Sequence, residues 1–255
     1  MLDKIAENSQ KAVNDDVYEI ESRLTKSEKN IITEIKKNPH ASIITEVKFS
    51  SPSQGSIRPI SDPVTIARSM IEGGAIGLSV LTQPYLFGGS PDFFAQVRGN
   101  VGAPMLMKDI IIDKVQIDAA EKLGADVILL IQSIFDRKLA REIDEFVDYA
   151  HKKNLLVLIE AHTRQEFLDS TLTRADLLGI NNRNLGTLKI DLGATEEILR
   201  DHKNDGRIII SESGIESPQD IKTLTQHGAN AFLVGSSIMR SKDIKGTVSS
   251  LVLAI

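Results

Sequence analysis

The sequence predicts an α/β fold: eight parallel strands alternate with helices and close into a (β/α)8 barrel with a helical extension at the N-terminus. Three observations predict it. A helix ending in Gly-Ala and followed by a short apolar run recurs, as Gly74-Ala75 before 77–81, Gly124-Ala125 before 127–131 and Gly228-Ala229 before 231–234. The three glycines are 50 and 104 residues apart. Read as two and four repeats, that spacing gives units of about 25–26 residues, the size of a compact strand–helix pair. Eight apolar runs of strand length then fill the chain at this interval.

The expected strands are 42–48, 77–82, 104–108, 126–131, 156–160, 177–181, 207–211 and 231–235, each a continuous apolar run of the kind buried on both faces. Helical patterns follow, among them 64–72, 114–123, 137–152 and 221–227. The repeated Gly suits a helix C-cap at positive φ. Strand–helix alternation implies a parallel sheet with right-handed crossovers. Periodicity alone leaves a doubly wound sheet open; the even unit length and the count of eight favour the closed TIM-type barrel. Ahead of the first strand, 2–13 and 27–37 have helical periodicity, with Ser27 as the expected N-cap of the second. These helices would cover one end of the barrel or contact a partner. Residues 1–255 are expected to form a single barrel domain, with 1–40 a helical extension over the barrel mouth.

Bulk composition narrows the function. The chain has 255 residues, a net charge of −5 and no cysteine, which excludes disulfides and thiolate metal sites. No Lys/Arg stripe or aromatic platform suggests nucleic acid. No apolar run reaches the ~18–20 residues of a membrane helix, and residues 1–22 carry acids instead of a signal-peptide core. A cytoplasmic protein with a small-molecule partner, no nucleic acid and no membrane is expected. A monomer is the working expectation, although nothing in the residues fixes oligomeric state.

In a barrel of this type reactive groups sit where the strands end. The first run ends Thr45-Glu46-Val47-Lys48 and leads into Ser50-Ser51-Pro52-Ser53-Gln54-Gly55; the third ends Met107-Lys108-Asp109. The fifth ends in Glu160, the sixth in Asn181-Asn182-Arg183-Asn184, the seventh in Ser211-Glu212-Ser213-Gly214 and the eighth in Gly235-Ser236. Glu46 and Lys48, two apart on a strand, share a side. A structural ion pair would explain Glu46 alone, but five strands ending in charged or amide groups point to a site. Ser213-Gly214 and Gly235-Ser236 follow strands seven and eight, where small residues let backbone N–H groups reach a phosphate. A tight turn is the plainer reading of either Gly; two in these two positions favour the phosphate. The five His residues are dispersed without metal-ligand spacing, so no metal is expected, and no nucleotide or serine-hydrolase motif occurs.

These motifs, in this order, resemble those of the indole-3-glycerol phosphate synthase family. Ile43-Ile44-Thr45-Glu46-Val47-Lys48 with Ser51-Pro52-Ser53 resembles its first-strand signature, and Phe87-Gly88-Gly89-Ser90, Met107-Lys108-Asp109, Leu158-Ile159-Glu160, Asn181-Asn182-Arg183-Asn184, Ser211-Glu212-Ser213-Gly214 and Gly235-Ser236-Ser237 continue the series. The resemblance covers nearly the whole chain. It implies a carboxy-lyase of tryptophan biosynthesis that closes, decarboxylates and dehydrates 1-(2-carboxyphenylamino)-1-deoxyribulose 5-phosphate without a cofactor. It also implies that Lys108 is the general acid, that Glu46 and Glu160 complete the acid–base set, and that Asn181 and Ser213 orient the substrate. Lys48, Ser51 and Arg183 match positions that handle substrate anions, Phe87 an aromatic after strand two, and Glu212 a glutamate near the catalytic set. Gly214, Gly235 and Ser236 match the phosphate cradle. Phe49 and Gln54 depart from basic residues common in relatives, Ile110 from a common aromatic, and no Trp occurs in the N-terminal helices; these bear on the substrate's aromatic end. The competing readings are another phosphate-binding barrel, such as phosphoribosylanthranilate isomerase or a tryptophan synthase α-like chain, and a non-catalytic phosphate-sensing barrel. The first two do not predict Glu46-Val47-Lys48 together with Met107-Lys108-Asp109 and this N-terminal extension, and the last needs neither Lys108 nor Glu160.

Overall fold

The computed structural model describes residues 2–202 and 205–255. Met1, with which the expected extension begins, lies outside the described residues. Eight parallel strands form a closed barrel: β1 (Ile43–Val47), β2 (Gly77–Leu81), β3 (Met105–Lys108), β4 (Val127–Ile131), β5 (Leu156–Ala161), β6 (Leu177–Asn181), β7 (Ile208–Glu212) and β8 (Ala231–Val234). Each pairs with its sequence neighbours, and β8 returns to pair with β1, Ile43 opposite Phe232 and Thr45 opposite Val234. Nearly every strand residue is buried, because helices cover the outer face and side chains fill the inner one. All eight strands lie within a residue or so of the expected runs.

Helices α1 (Leu2–Asn14) and α2 (Ile31–Lys37) precede the barrel. Around it run α3 (Pro63–Glu72), α4 (Pro84–Phe87), α5 (Pro91–Arg98), α6 (Lys114–Lys122), α7 (Gln132–Asp136), α8 (Ile143–Lys152), α9 (Arg164–Thr171), α10 (Gly193–Leu199), α11 (Pro218–Gln226), α12 (Ser236–Arg240) and α13 (Ile244–Val252). Their starts follow simple capping chemistry. Asp62, Asp113 and Ser217 each accept backbone N–H bonds at a helix start, and Asp113 and Ser217 do so within capping boxes.

Two expectations about helices are corrected. Ser27 is not an N-cap: its hydroxyl donates to the Gly102 carbonyl, and α2 starts later, where the Asn30 side chain accepts from the Ile32 and Thr33 amides. The helical pattern 137–152 is helix only from Ile143: α7 ends before it, at Asp136, and 137–142 form a break. Lys138 takes a left-handed φ of 57° and closes α7 through its amide to the Phe135 carbonyl, so α8 begins only at Ile143.

The extension divides between the two ends of the barrel. Only its first part reaches the mouth, where Ile5 lines the cavity and the Ser9 hydroxyl donates to the Ile110 carbonyl. From there the chain descends past α6, with the Leu24 amide on the Lys122 carbonyl. Ile31 of α2 then packs against Gly77 at the N-terminal end of β2, opposite the mouth.

The register sets which side chains meet inside. From Glu46, hydrogen-bonded neighbours lead through Ser79 to Leu106, two residues short of Lys108. Glu160 leads through Gly179 to Ile210, two short of Glu212, and Glu212 through Leu233 to Ile44, two short of Glu46. The step from Lys108 to Glu160 follows the same rule when the β3–β4 register is extended by one residue. A stagger of two residues per pair of strands is the tilt of an eight-strand barrel. Glu46, Lys108, Glu160 and Glu212, from the four odd strands, therefore form one level layer across the mouth.

Candidate active site

This charged layer floors a cavity whose walls are largely apolar, with Leu81, Ile110, Leu129, Ile131 and Leu233 around it and Ile5 reaching in from α1. Lys108 Nζ lies 2.8 Å from Glu160 Oε2 and 2.6 Å from Glu212 Oε2. Glu46, close enough for its charge to act on Lys108, pairs with Lys48, with Nζ to Oε1 at 2.7 Å, and also accepts from the Ser79 hydroxyl. The layer explains this pairing: Lys108 is the one cation among three carboxylates, and Lys48, two residues above Glu46, takes the third.

Charge within the layer follows from burial and spacing. Burial alone would push the Lys108 ammonium down, but Glu160, Glu212 and Glu46 outweigh it and raise its pKa above the ordinary value, so it stays protonated. Burial pushes Glu212 up to about 8, with the neighbouring Glu160 charge adding to the rise and Lys108 opposing it. Glu212 Oε1 is buried without a hydrogen-bond partner, which further disfavours the anion. Burial would raise Glu160 as well; Lys108, through its charge and hydrogen bond, and Asn181 Nδ2, 2.9 Å from Glu160 Oε1, hold it low. The environment thus favours the ammonium on Lys108, the carboxylate on Glu160 and the acid form on Glu212.

Gly179 makes this arrangement possible. A Cβ there would lie 2.5 Å from Glu212 Oε1, so only glycine leaves room for the Glu212 carboxyl beside Glu160. A lone Gly inside an apolar strand is the signal of such an approach, and it is readable in Leu177-Leu178-Gly179-Ile180.

The remaining candidates converge on the same mouth. Lys48, Ser51, Phe87, Asn181, Arg183, Ser213, Gly214, Gly235 and Ser236 all line the cavity. Ser51 lies in a small hairpin, Ser50–Ser51 against Gly55–Ser56, and Arg183 reaches across to it by donating to the Ser53 hydroxyl at 2.8 Å and the Leu188 carbonyl at 3.2 Å. Ser213 and Gly214 are both left-handed, with φ of 67° and 82°. A Cβ on Gly235 would come within 2.9 Å of Glu46 Oε1 and 3.4 Å of Lys48 Nζ, so this glycine also leaves room for that ion pair. The departures have local accommodations. Phe49 is buried edge-on against Phe93, and Gln54 accepts from Arg240 at 3.3 Å.

Three participants carry no role in the sequence reading. Asp109, next to Lys108 and fully buried, accepts from Tyr18 Oη at 2.9 Å on both oxygens, from the Ile110 amide, from Gln116 Nε2 and from the Thr82 hydroxyl. Burial pushes it up to about 6 against these donors. Tyr18 ties the extension to the strand that carries Lys108. Asn182 is buried behind the Ser213–Gly214 turn. Their long-range partners lie far off in sequence and leave no local pattern. Among the described residues no group of three or more His, Cys, Asp or Glu could hold a metal ion, and no helix is long and apolar enough to cross a membrane.

Comparison with known proteins gives the same architecture and a family. By structure the chain resembles thiamine phosphate pyrophosphorylase from Pyrococcus furiosus, with TM-score 0.61 and 17% identity over 84% of this chain and 94% of that one. It also resembles the N-acetylmannosamine-6-phosphate 2-epimerase from Clostridium perfringens, with TM-score 0.60 and 16% identity over 84% and 92%. At such identities these likenesses speak to fold alone. By sequence it is 43% identical over 219 residues to the indole-3-glycerol phosphate synthase of Methanocaldococcus jannaschii, covering 85% of this chain and 79% of the relative. With that of Azospirillum brasilense it shares 41% over 210 residues, covering 82% and 79%. The family model for indole-3-glycerol phosphate synthase matches residues 2–251, from α1 through α13. With the barrel, its charged layer and its N-terminal helices all inside that match, the chain belongs to the indole-3-glycerol phosphate synthase family.

Proposed function

We propose that this chain is an indole-3-glycerol phosphate synthase in which Lys108 is the general acid of ring closure. The observation that carries the assignment is the Lys108 ammonium, held in an apolar-walled mouth 2.8 Å from Glu160 and 2.6 Å from Glu212. The substrate, 1-(2-carboxyphenylamino)-1-deoxyribulose 5-phosphate, presents a ketone to be attacked by the ring carbon that bears its carboxylate. As the carbon–carbon bond forms, the ketone oxygen takes a proton from Lys108, which first stabilises the developing alkoxide. The carboxylate leaves as carbon dioxide and its bonding electrons return to the ring system. Loss of the new hydroxyl as water then completes the indole, with Glu160 the base that removes the remaining proton and Glu46 supporting the acid.

The ends of the substrate fit the two rims. Gly214, Gly235 and Ser236 offer backbone N–H groups to the phosphate, while Lys48, Ser51 and Arg183 face its carboxylate and Asn181 and Ser213 its hydroxyls. The aromatic ring lies against the aliphatic wall, with Phe87 as the aromatic contact and Ile110 and Ile5 replacing larger rings. No step is assigned to a metal or cofactor, and a cytoplasmic monomer is the working form. The experiment is direct: purified protein and substrate, with indole fluorescence excited near ~295 nm, where a chain without Trp adds little background. A chelator should leave the rate unchanged. Folded protein that yields no indole signal would overturn the proposal.

A further inference from the structure

The Ser213–Gly214 turn puts two consecutive residues in the left-handed region, and the first is not glycine. Such a backbone persists only where its surroundings hold it. Ile190 and Leu192 pack on Gly214, and a buried amide holds the Ser213 carbonyl. Asn182 Nδ2 donates to the Ser213 carbonyl at 3.1 Å and to Ser211 Oγ at 3.0 Å. Its Oδ1 accepts from Thr195 Oγ1 at 2.8 Å, and the Thr195 and Ser211 hydroxyls meet at 2.9 Å. Asn182, Thr195 and Ser211 are all fully buried, and none lines the mouth. The network ties the end of β6, the strand β7 and the first turn of α10 to one carbonyl, on the residue that opens the turn.

We propose that Asn182, fixed by Thr195 and Ser211, is a positioning residue for the oxyanion end of the substrate: it acts through the Ser213–Gly214 backbone without touching ligand. The inference rests on the reading of Gly214 as part of the phosphate cradle. A peptide released from this amide can rotate toward commoner backbone angles and turn the following N–H away from the anion. The chemistry at Lys108 lies across the mouth on another strand, so binding of the phosphorylated end should suffer more than turnover.

The test is competitive inhibition by inorganic phosphate together with steady-state kinetics, on wild type, Asn182→Ala, Thr195→Val and Thr195→Ser. Thr195→Val keeps the volume and removes the hydroxyl that anchors the amide; Thr195→Ser restores it. Expected is a rise of about tenfold in both KM and the phosphate inhibition constant for Asn182→Ala, with kcat within about threefold. Thr195→Val should shift both constants in the same direction by less, and Thr195→Ser should return them toward wild type. If Asn182→Ala does not fold, the valine–serine pair decides alone. Variants that lower Tm but leave both constants within about twofold would overturn the inference and leave Asn182 a packing residue. Phosphate that fails to compete even against wild type would overturn the cradle reading instead, and this inference with it.

Discussion

Lys108 meets two carboxyl groups, one pushed toward the anion and one toward the acid, and this sets what substitution and pH should do. Lys108→Ala should leave binding of a substrate analogue within a few-fold but lower kcat by about 10²–10⁴, the usual worth of a positioned acid. Lys108→Arg should fail as well, because guanidinium keeps the charge but gives up protons poorly. Single-turnover rates check both; an arginine variant near the wild-type rate would make Lys108 an electrostatic support only. Glu212, raised to about 8, adds an alkaline limb. Above that pH the trio gains a second negative charge, Lys108 is held more tightly as ammonium, and kcat should fall; Glu212→Gln should remove this limb from the pH–rate profile. The same group contributes to folding with a definite sign. Its folded pKa is above its unfolded value, so its contribution to stability is present at low pH and lost as pH rises from about 4.5 to about 8. At this scale the sequence was informative about identity and only in part about pairing. Glu46, Lys108, Glu160 and Glu212 stand out as charges at the ends of apolar runs. That Glu46 and Lys48 share a side follows from strand alternation, but that Lys108 faces Glu160 and Glu212 depends on barrel stagger, which only closure defines.

The N-terminal extension shows how an element acquires two jobs. α1 and the turn through Tyr18 belong to the mouth, whereas α2 plugs the opposite end against Gly77. Removing 1–39 would therefore confound a loss of substrate contact with a loss of core. Tyr18→Phe separates them, since it deletes only the hydroxyl that serves both oxygens of Asp109. Leaving that buried carboxylate short of a donor should cost about 1–3 kcal/mol. In a chain of this size that lowers Tm by roughly 2–10 °C. Because Asp109 follows Lys108 directly, substrate binding should weaken too. Thermal melts and KM values check this, and a variant matching wild type in both would show the contact to be idle. Helices were less legible than strands for a physical reason. A strand buried on both faces is apolar throughout, but a helix boundary depends on one capping side chain or one left-handed residue. Ser27 looks like a cap and is engaged elsewhere; Lys138 gives no sign that it will break 137–152.

The whole molecule is held by a ring of hydrogen-bonded strands, each joined to its sequence neighbour except where β8 meets β1. The eight runs and their interval were readable because repetition is a property of sequence. Closure, and the level layer of four charges it creates, were not, because they arise from register between strands far apart in the chain. A chain cut after Asn230 loses Ala231–Val234, including Phe232, which is 1% exposed, and leaves β1 and β7 each with one edge unpaired. It should not give a cooperative melt or soluble monomer; a truncated protein with native-like melting would show that seven strands suffice. The same ring has a consequence in time. At about 5–20 residues per second of synthesis, β1 waits roughly 10–40 s before β8 exists to pair with it. Throughout that interval its outer edge is open, and after β7 emerges a second edge stands open too. An open strand edge invites pairing with other chains. The nascent polypeptide is therefore most vulnerable to aggregation late in translation, just before its last strand arrives.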